Sequence, residues 1–246
     1  MLSKAQIKHI KLLSVQKYRK QEKQFVAEGE KVVLEWLQSK EVIHQILATP
    51  EWAAQHQPLF DRHPEATVHI VEASLLTSLS SLKAPKNVML VVQLAEPATL
   101  ASADEWTLVL DSIQDPGNMG SIIRIADWFG VSQIVSSKES VDYYNPKVIQ
   151  AAMGSHLRVR LYQEDLNDFI ARSSIPVLAT VLDGSSIYSL PPFPKALLMI
   201  GNEGNGLSTA LIQRATNKIT IPRVGGAESL NAAMATGICC SHLLPH

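Results

Sequence analysis

The sequence predicts an α/β fold whose C-terminal part is a mostly parallel sheet with helices on both faces, preceded by a smaller α/β domain. Strand-like and helix-like runs alternate from Trp106 onward. Two of the runs, 177–182 and 196–200, are continuously apolar, as strands covered on both faces are. Three polar, glycine-rich segments lie beside apolar runs, at 115–124, 200–207 and 221–231. Glycine is entropically costly and is kept where backbone bends sharply or approaches a ligand. Loops beyond the carboxyl ends of parallel strands are where such folds bind ligands.

The N-terminal part reads as a short strand and turn at 25–29, a helix at 30–38 with apolar Val33, Leu34 and Leu37, and strands at 42–47, 67–71 and 87–94. A helix is expected at 75–82. Periodicity stops around Glu96-Pro97-Ala98, which predicts a linker at 96–104 between a domain at 1–95 and one at 105–246. The second domain opens with a buried strand at 107–110. A helix follows Asp115-Pro116-Gly117, with Ile122, Ile123, Ala126 and Phe129 on its apolar face and Gly130 as its stop. Strands are expected at 133–135, 157–161 and 218–221, and helices at 147–153, 208–214 and 228–243.

No run reaches 18 consecutive apolar residues, so a membrane span is not expected. The N-terminus lacks a signal-peptide pattern. The only cysteines, Cys239 and Cys240, are adjacent and apolar-flanked, which argues against a disulfide framework or a metal site and for a reducing cytoplasm. Net charge is −1, but residues 1–24 carry seven basic side chains against Glu22, a local +6 that leaves −7 elsewhere. Such a patch can attract a phosphate backbone. Its candidate contacts are Lys11, Lys17, Arg19 and Lys20; a solvated helix face is the alternative.

The loops match neither G-x-G-x-x-G nor G-K-[ST], which counts against dinucleotide and triphosphate enzymes. Asn118 can donate and accept. Arg124, on a helix rich in Ile and Ala, needs water, a carboxylate or a phosphate. Glu203 sits among Asn202, Gly204, Asn205 and Gly206; Ser229 and Asn231 flank Leu230 where a helix could be capped.

These segments resemble the three motifs of the SpoU (TrmH) RNA 2'-O-methyltransferases of the knotted SPOUT superfamily. An N-x-G-x-x-x-R run is matched by Asn118, Gly120 and Arg124, and a G-x-E-x-x-G run by Gly201, Glu203 and Gly206. An I-P-x-x-G-x-x-x-S-L-N run is matched by Ile221, Pro222, Gly225, Ser229, Leu230 and Asn231. Asn145-Pro146-Lys147 and Met153-Gly154-Ser155 also look like that family, and the N-terminal part is similar to its L30e-like substrate-binding domain.

The resemblance implies a deep trefoil knot, S-adenosylmethionine as cofactor, a homodimer, and methylation of a ribose 2'-hydroxyl in structured RNA. Ribosomal RNA is favoured over transfer RNA, with an inactive RNA-binding homologue as a further alternative; neither DNA nor a metal is expected. It implies a cofactor pocket from Thr180, Val181, Leu182, Gly201, Asn202, Glu203, Gly206, Ile221, Ser229 and Leu230. It implies Arg124 as the catalytic arginine, with Asn118, Glu203, Ser229 and Asn231 orienting it and the ribose. His156 is a weaker candidate base. Ile125 stands where the family often has a small polar residue, with packing as the expected consequence, and Arg223 could reach a phosphate.

Overall fold

The computed structural model describes residues 2–81, 87–95 and 100–245. The chain forms two compact units, one of residues 1–96 with 142–157, the other of 97–141 with 158–246. The segment 142–157, expected inside the C-terminal domain, thus packs in the first unit. Residues 96–99 of the expected linker and the end of the helix expected at 75–82 lie outside the described residues.

The first unit runs through α1 (Lys4–Leu12), α2 (Gln16–Glu22), β1 (Gln24–Glu28), α3 (Glu30–Gln38), β2 (Ile43–Ala48), α4 (Pro50–Phe60), β3 (Thr67–Ile70), α5 (Ala73–Leu79) and β4 (Val88–Gln93). Its sheet has the order β1-β4-β2-β3, antiparallel except for the β2–β3 pair. The pleat sends alternate residues to opposite faces. Phe25, Ala27 and Leu90 therefore join Val33, Trp36 and Trp52 on one side, while Val26, Met89 and Val91 join Ile10, Leu13 and Leu76 on the other. The helix α4 was not foreseen. Thr49 caps it and Pro50 occupies its first turn, but Pro58 and a run of polar residues blur its periodicity.

The second unit supplies β5 (Thr107–Leu110), α6 (Pro116–Trp128) and β6 (Gln133–Ser136); the chain then gives α7 (Pro146–Ala152) to the first unit. It returns through β7 (Arg160–Gln163), α8 (Leu166–Ala171), β8 (Val177–Ser186), β9 (Leu197–Ile200), α9 (Thr209–Gln213), β10 (Asn217–Thr220) and α10 (Ala232–Leu243). The six strands lie in the order β10-β8-β9-β5-β6-β7 and every pairing is parallel. This is the α/β class expected. The loops after β5, β8, β9 and β10 consequently emerge at one end of the sheet.

Two boundaries differ from expectation for visible reasons. The strand expected at 157–161 begins only at Arg160, because 155–157 forms a 3-10 turn and Leu157 packs in the core of the first unit. The last helix starts at Ala232 rather than 228, because the Asn231 side chain caps it by accepting from the N–H groups of Ala233 and Met234. No helix of the described residues is long and apolar enough to cross a membrane.

Arg19, expected as an RNA contact, is corrected by the structure: it is 2% exposed. Its Nε donates to Asp142 Oδ2 at 2.9 Å, its Nη2 to the same oxygen at 2.5 Å, and its Nη1 to the Leu13 carbonyl at 2.8 Å. Asp142 Oδ1 accepts from the Tyr144 N–H, so one carboxylate ties α2 to the 142–157 segment. Gly154, at φ +89°, packs so closely on Glu35 that a side chain would displace it. The Phe25 ring meets Tyr144 at 4.9 Å between centroids.

Removing one partner of a buried ion pair strands the other charge, so Arg19→Ala should cost about 3–5 kcal/mol in urea unfolding. A loss well under 1 kcal/mol would contradict this pairing. His156 Nε2 donates to the Tyr143 carbonyl, its Nδ1 is buried without a partner, and desolvation lowers its pKa from 6.5 to about 4. Between those values the unfolded chain binds a proton that the folded chain refuses. The neutral ring's contribution is therefore full above pH 6.5 and is lost as pH falls toward 4. In the difference between wild type and His156→Gln, acid sensitivity over that window should be smaller in the variant, as measured by thermal unfolding against pH.

Candidate functional site

The site is built from three turns at the carboxyl end of the six-stranded sheet. The chain leaves β5 through Asp111 and Ser112, the latter in the left-handed region at φ +57°. It enters α6 where Asp115 Oδ1 accepts from the Asn118 N–H at 2.8 Å, with Pro116 fixing the first turn. This capped start delivers Asn118, almost fully buried, into the space between the other two turns.

The turn after β9 is a tight loop. Asn202 and Gly206 exchange backbone hydrogen bonds at 3.1 and 2.9 Å, and the Asn202 side chain accepts from the N–H groups of Gly204 and Asn205. Its amide donates to the Ser112 carbonyl at 2.8 Å, holding the first turn in its unusual backbone conformation. Gly201 lies so close to Gly206 and Leu207 that any Cβ would overlap their backbone. That motif glycine is required by a close approach within the loop itself. Gly206, at φ +67°, is needed for its conformation instead.

One side chain joins all three turns. Asn118 Nδ2 donates to Glu203 Oε1 at 2.5 Å, and Asn118 Oδ1 accepts from Asn231 Nδ2 at 2.6 Å. The geometry fixes the orientation of the Asn118 amide: its nitrogen must face the carboxylate. Asn231 in turn caps α10, and α10 packs along α6, with Gly237 facing Ile125 Cδ1. Ile125 thus sits at a helix–helix contact.

The structure distributes the remaining expected residues as follows. Arg124 is exposed and has no hydrogen-bond or ion-pair partner among the described residues. Ser229 and Leu230 lie in the exposed loop 222–231, and Leu230 is 47% exposed. Thr180 is already committed, its hydroxyl donating to the Met199 carbonyl at 2.8 Å. Val181 packs against the apolar layer under α8 and α9, whereas Leu182 projects outward. Ile221 is half-buried. Arg223 folds back on its own loop, Nη1 donating to the Ala227 carbonyl at 3.2 Å. His156 belongs to the other unit and to its core packing. Two clefts of about 280 and 240 Å³ lie elsewhere in the second unit, lined by residues such as Asp183 and Lys218 or Glu139 and Glu164; neither is lined by Asn118, Glu203 or Asn231.

Two features missed in the sequence position the site. One is the Asn202–Ser112 link. The other is a break in the pairing of β8 with β10, where Lys218 faces Ala179 but Ile219 faces Ser185. Residues 180–184 of β8 bulge out there, and Gly184 passes so close to Ile219 that a Cβ would overlap its backbone. The isolated glycine in an extended segment was the available signal.

The site offers donors and acceptors to a hydrogen-bonding ligand. Peptide N–H groups from Arg223 to Leu230 make no hydrogen bond among the described residues. They offer an edge to which a heterocycle can bond, beside one free carboxylate oxygen of Glu203. No cluster of three His, Cys, Asp or Glu able to hold a metal occurs among the described residues.

Comparison with known proteins finds relatives over nearly the whole chain. A solved structure of a TrmH-family protein from Porphyromonas gingivalis is 36% identical, superimposes with a TM-score of 0.84, and covers 98% of this chain and 97% of its own. The AdoMet-bound rRNA methyltransferase from Sinorhizobium meliloti is 29% identical with a TM-score of 0.85, covering 98% and 94%. In sequence, the 23S rRNA (guanosine(2553)-2'-O)-methyltransferase RlmP of Bacillus subtilis is 29% identical over 241 residues, 96% of this chain and 95% of that protein. The fold class is therefore that of the SPOUT superfamily, known for trefoil knots. Residues 4–90 match the MRM3-like substrate binding domain, in keeping with the N-terminal substrate-binding domain expected. Residues 105–241 match the SpoU rRNA Methylase family, and the chain belongs to that family.

Proposed function

We propose that the protein transfers a methyl group from S-adenosylmethionine to a ribose 2'-hydroxyl of ribosomal RNA. The observation that carries this reading is the Asn118 bridge, which draws the three family motifs into one site in a chain whose full-length relatives include a 23S rRNA 2'-O-methyltransferase. The open peptide edge of 223–230 and the Gly201–Gly206 turn would hold the cofactor. When bound, S-adenosylmethionine supplies the methyl group on a sulfonium, an excellent leaving group.

This chain's residues then have three tasks. The first is alignment, since holding nucleophile and methyl carbon in line accounts for much of the barrier in such a transfer. Asn118, Glu203 and Asn231 serve as positioning residues, fixing the loops rather than touching the ribose. The second is charge. Arg124, exposed and unpaired, binds a backbone phosphate and stabilises the negative charge that develops on the attacking oxygen. A guanidinium is protonated at every accessible pH, so the ribose proton passes to phosphate or water. The third is delivery of the RNA. Lys11, Lys17 and Lys20 remain exposed on α1 and α2, and they form the proposed docking face now that Arg19 is assigned to the core.

The protein works as a homodimer in this reading, with α6 and α10 as the contact surface. Their exposed Trp128 and Met234 are apolar residues that the described fold leaves uncovered. Two buried thiols and no disulfide suit a cytoplasmic enzyme.

Mapping ribose methylation across total RNA, with and without the gene, should reveal one position lost with the gene and restored by wild type but not by Arg124→Ala. Because Arg124 touches neither the cofactor edge nor the core, calorimetry should find S-adenosylmethionine binding nearly intact in that variant. Turnover at the wild-type rate would remove its role. Replacing Lys11, Lys17 and Lys20 together by Ala should weaken rRNA binding. It should also flatten the slope of log K against log salt by roughly 0.7–0.9 for each lost phosphate contact. Identical slopes would place the RNA on another surface.

A further inference from the structure

We propose that Arg223 is a positioning residue for the cofactor, its guanidinium stapling the loop 222–231 so that peptide N–H groups of that loop stay open for S-adenosylmethionine. This rests on the methyltransferase reading and adds to it the group that shapes the cofactor edge.

The loop has little else to shape it. Its ends are fixed, on one side by β10 and on the other by Asn231, which caps α10 and bonds to Asn118. Between them, residues 222–230 make no backbone–backbone hydrogen bond among the described residues. The side-chain bonds found there are those of Arg223, whose Nη1 donates to the Ala227 carbonyl at 3.2 Å and to the Glu228 carbonyl at 3.5 Å. Gly225 and Gly226 lie outside the positive-φ region, and a Cβ on either would meet nothing. The pair therefore loosens the loop without being demanded by its geometry. Ordering such a segment costs conformational entropy, which the arginine's bonds offset.

The direction of those bonds decides what is left over. In a trans peptide the C=O and N–H point opposite ways, and the described residues hold no cis bond. Tying the Ala227 and Glu228 carbonyls to Arg223 turns the N–H groups of Glu228 and Ser229 away from it, and these N–H groups have no partner among the described residues. Residue type matters for the same reason. A guanidinium carries donors only, so it fastens carbonyls and cannot occupy the N–H groups. A glutamine or asparagine carries an oxygen that would compete for them.

In the full-length protein, R223A should bind S-adenosylmethionine about tenfold more weakly by calorimetry, the size of one hydrogen bond to a charged group. R223K, whose ammonium also only donates, should recover most of the loss. KM for the cofactor should rise with little change in kcat, as when ground-state binding is lost. With no cofactor present, a glutamate-specific protease should cut R223A after Glu228 faster than wild type, because the loop opens more often. The thermal unfolding of the two cofactor-free proteins should coincide. Wild-type affinity for S-adenosylmethionine in R223A overturns the proposal, and if rRNA binding weakens instead, the arginine serves a phosphate. A lowered unfolding temperature in R223A that R223K does not restore also overturns it, since the arginine would then serve the fold at large. Failure of the underlying reading looks different: wild-type protein itself would bind no S-adenosylmethionine, which removes both.

Discussion

The site depends on one amide that must donate and accept at the same time. Asn118 gives its N–H to Glu203 and takes one from Asn231, and so stitches together loops 85 and 113 residues away. Each bond is modest in net free energy, although the one to the carboxylate is charge-assisted and stronger. Their importance is positional. An aspartate could not donate and would repel Glu203; an alanine would leave both partners unsatisfied. Everything downstream, including the capped start of α10 and its packing along α6, inherits its placement from this junction.

The same economy of side-chain chemistry governs the arginines. Arg19 and Arg124 are chemically identical and do opposite jobs. Arg19 is enclosed, its fork shared between Asp142 and a carbonyl, and it holds a segment in place. Arg124 stands in solvent with its donors unspent on a helix whose nearest acid is occupied elsewhere. Burial with full hydrogen bonding makes a guanidinium structural; exposure without a partner leaves it available for an anion.

This contrast marks the limit of what the sequence could reveal. The parallel sheet was legible because β5, β8 and β9 are apolar runs, and α3 was legible to its ends because Gly29 and the 33/34/37 spacing frame it. The site's three segments were legible because glycine, proline and asparagine mark turns locally. What could not be read was long-range pairing. Nothing near Arg19 in sequence distinguishes it from Lys17 or Lys20; its partner is 123 residues away. The break between β8 and β10 and the capture of Ser112 by Asn202 are likewise relations between distant strands. α4 was obscured for another reason, since its buried residues Trp52, Ala53 and Phe60 leave a gap filled by glutamines, histidine and proline.

The course of the chain through its two units carries a further implication. Residues 142–157 leave the parallel sheet after β6 and return for β7, and in between they lend Ile149, Tyr144 and Leu157 to the core beneath β1. The backbone therefore passes from one unit to the other three times. Severing it near residue 96 yields no pair of self-sufficient modules: the N-terminal fragment lacks part of its own interior, and the C-terminal fragment keeps an apolar excursion with nothing to cover it. A substrate-recognition unit built this way is not readily exchanged between enzymes by simple fusion, and it must be inherited together with the catalytic sequence that completes it.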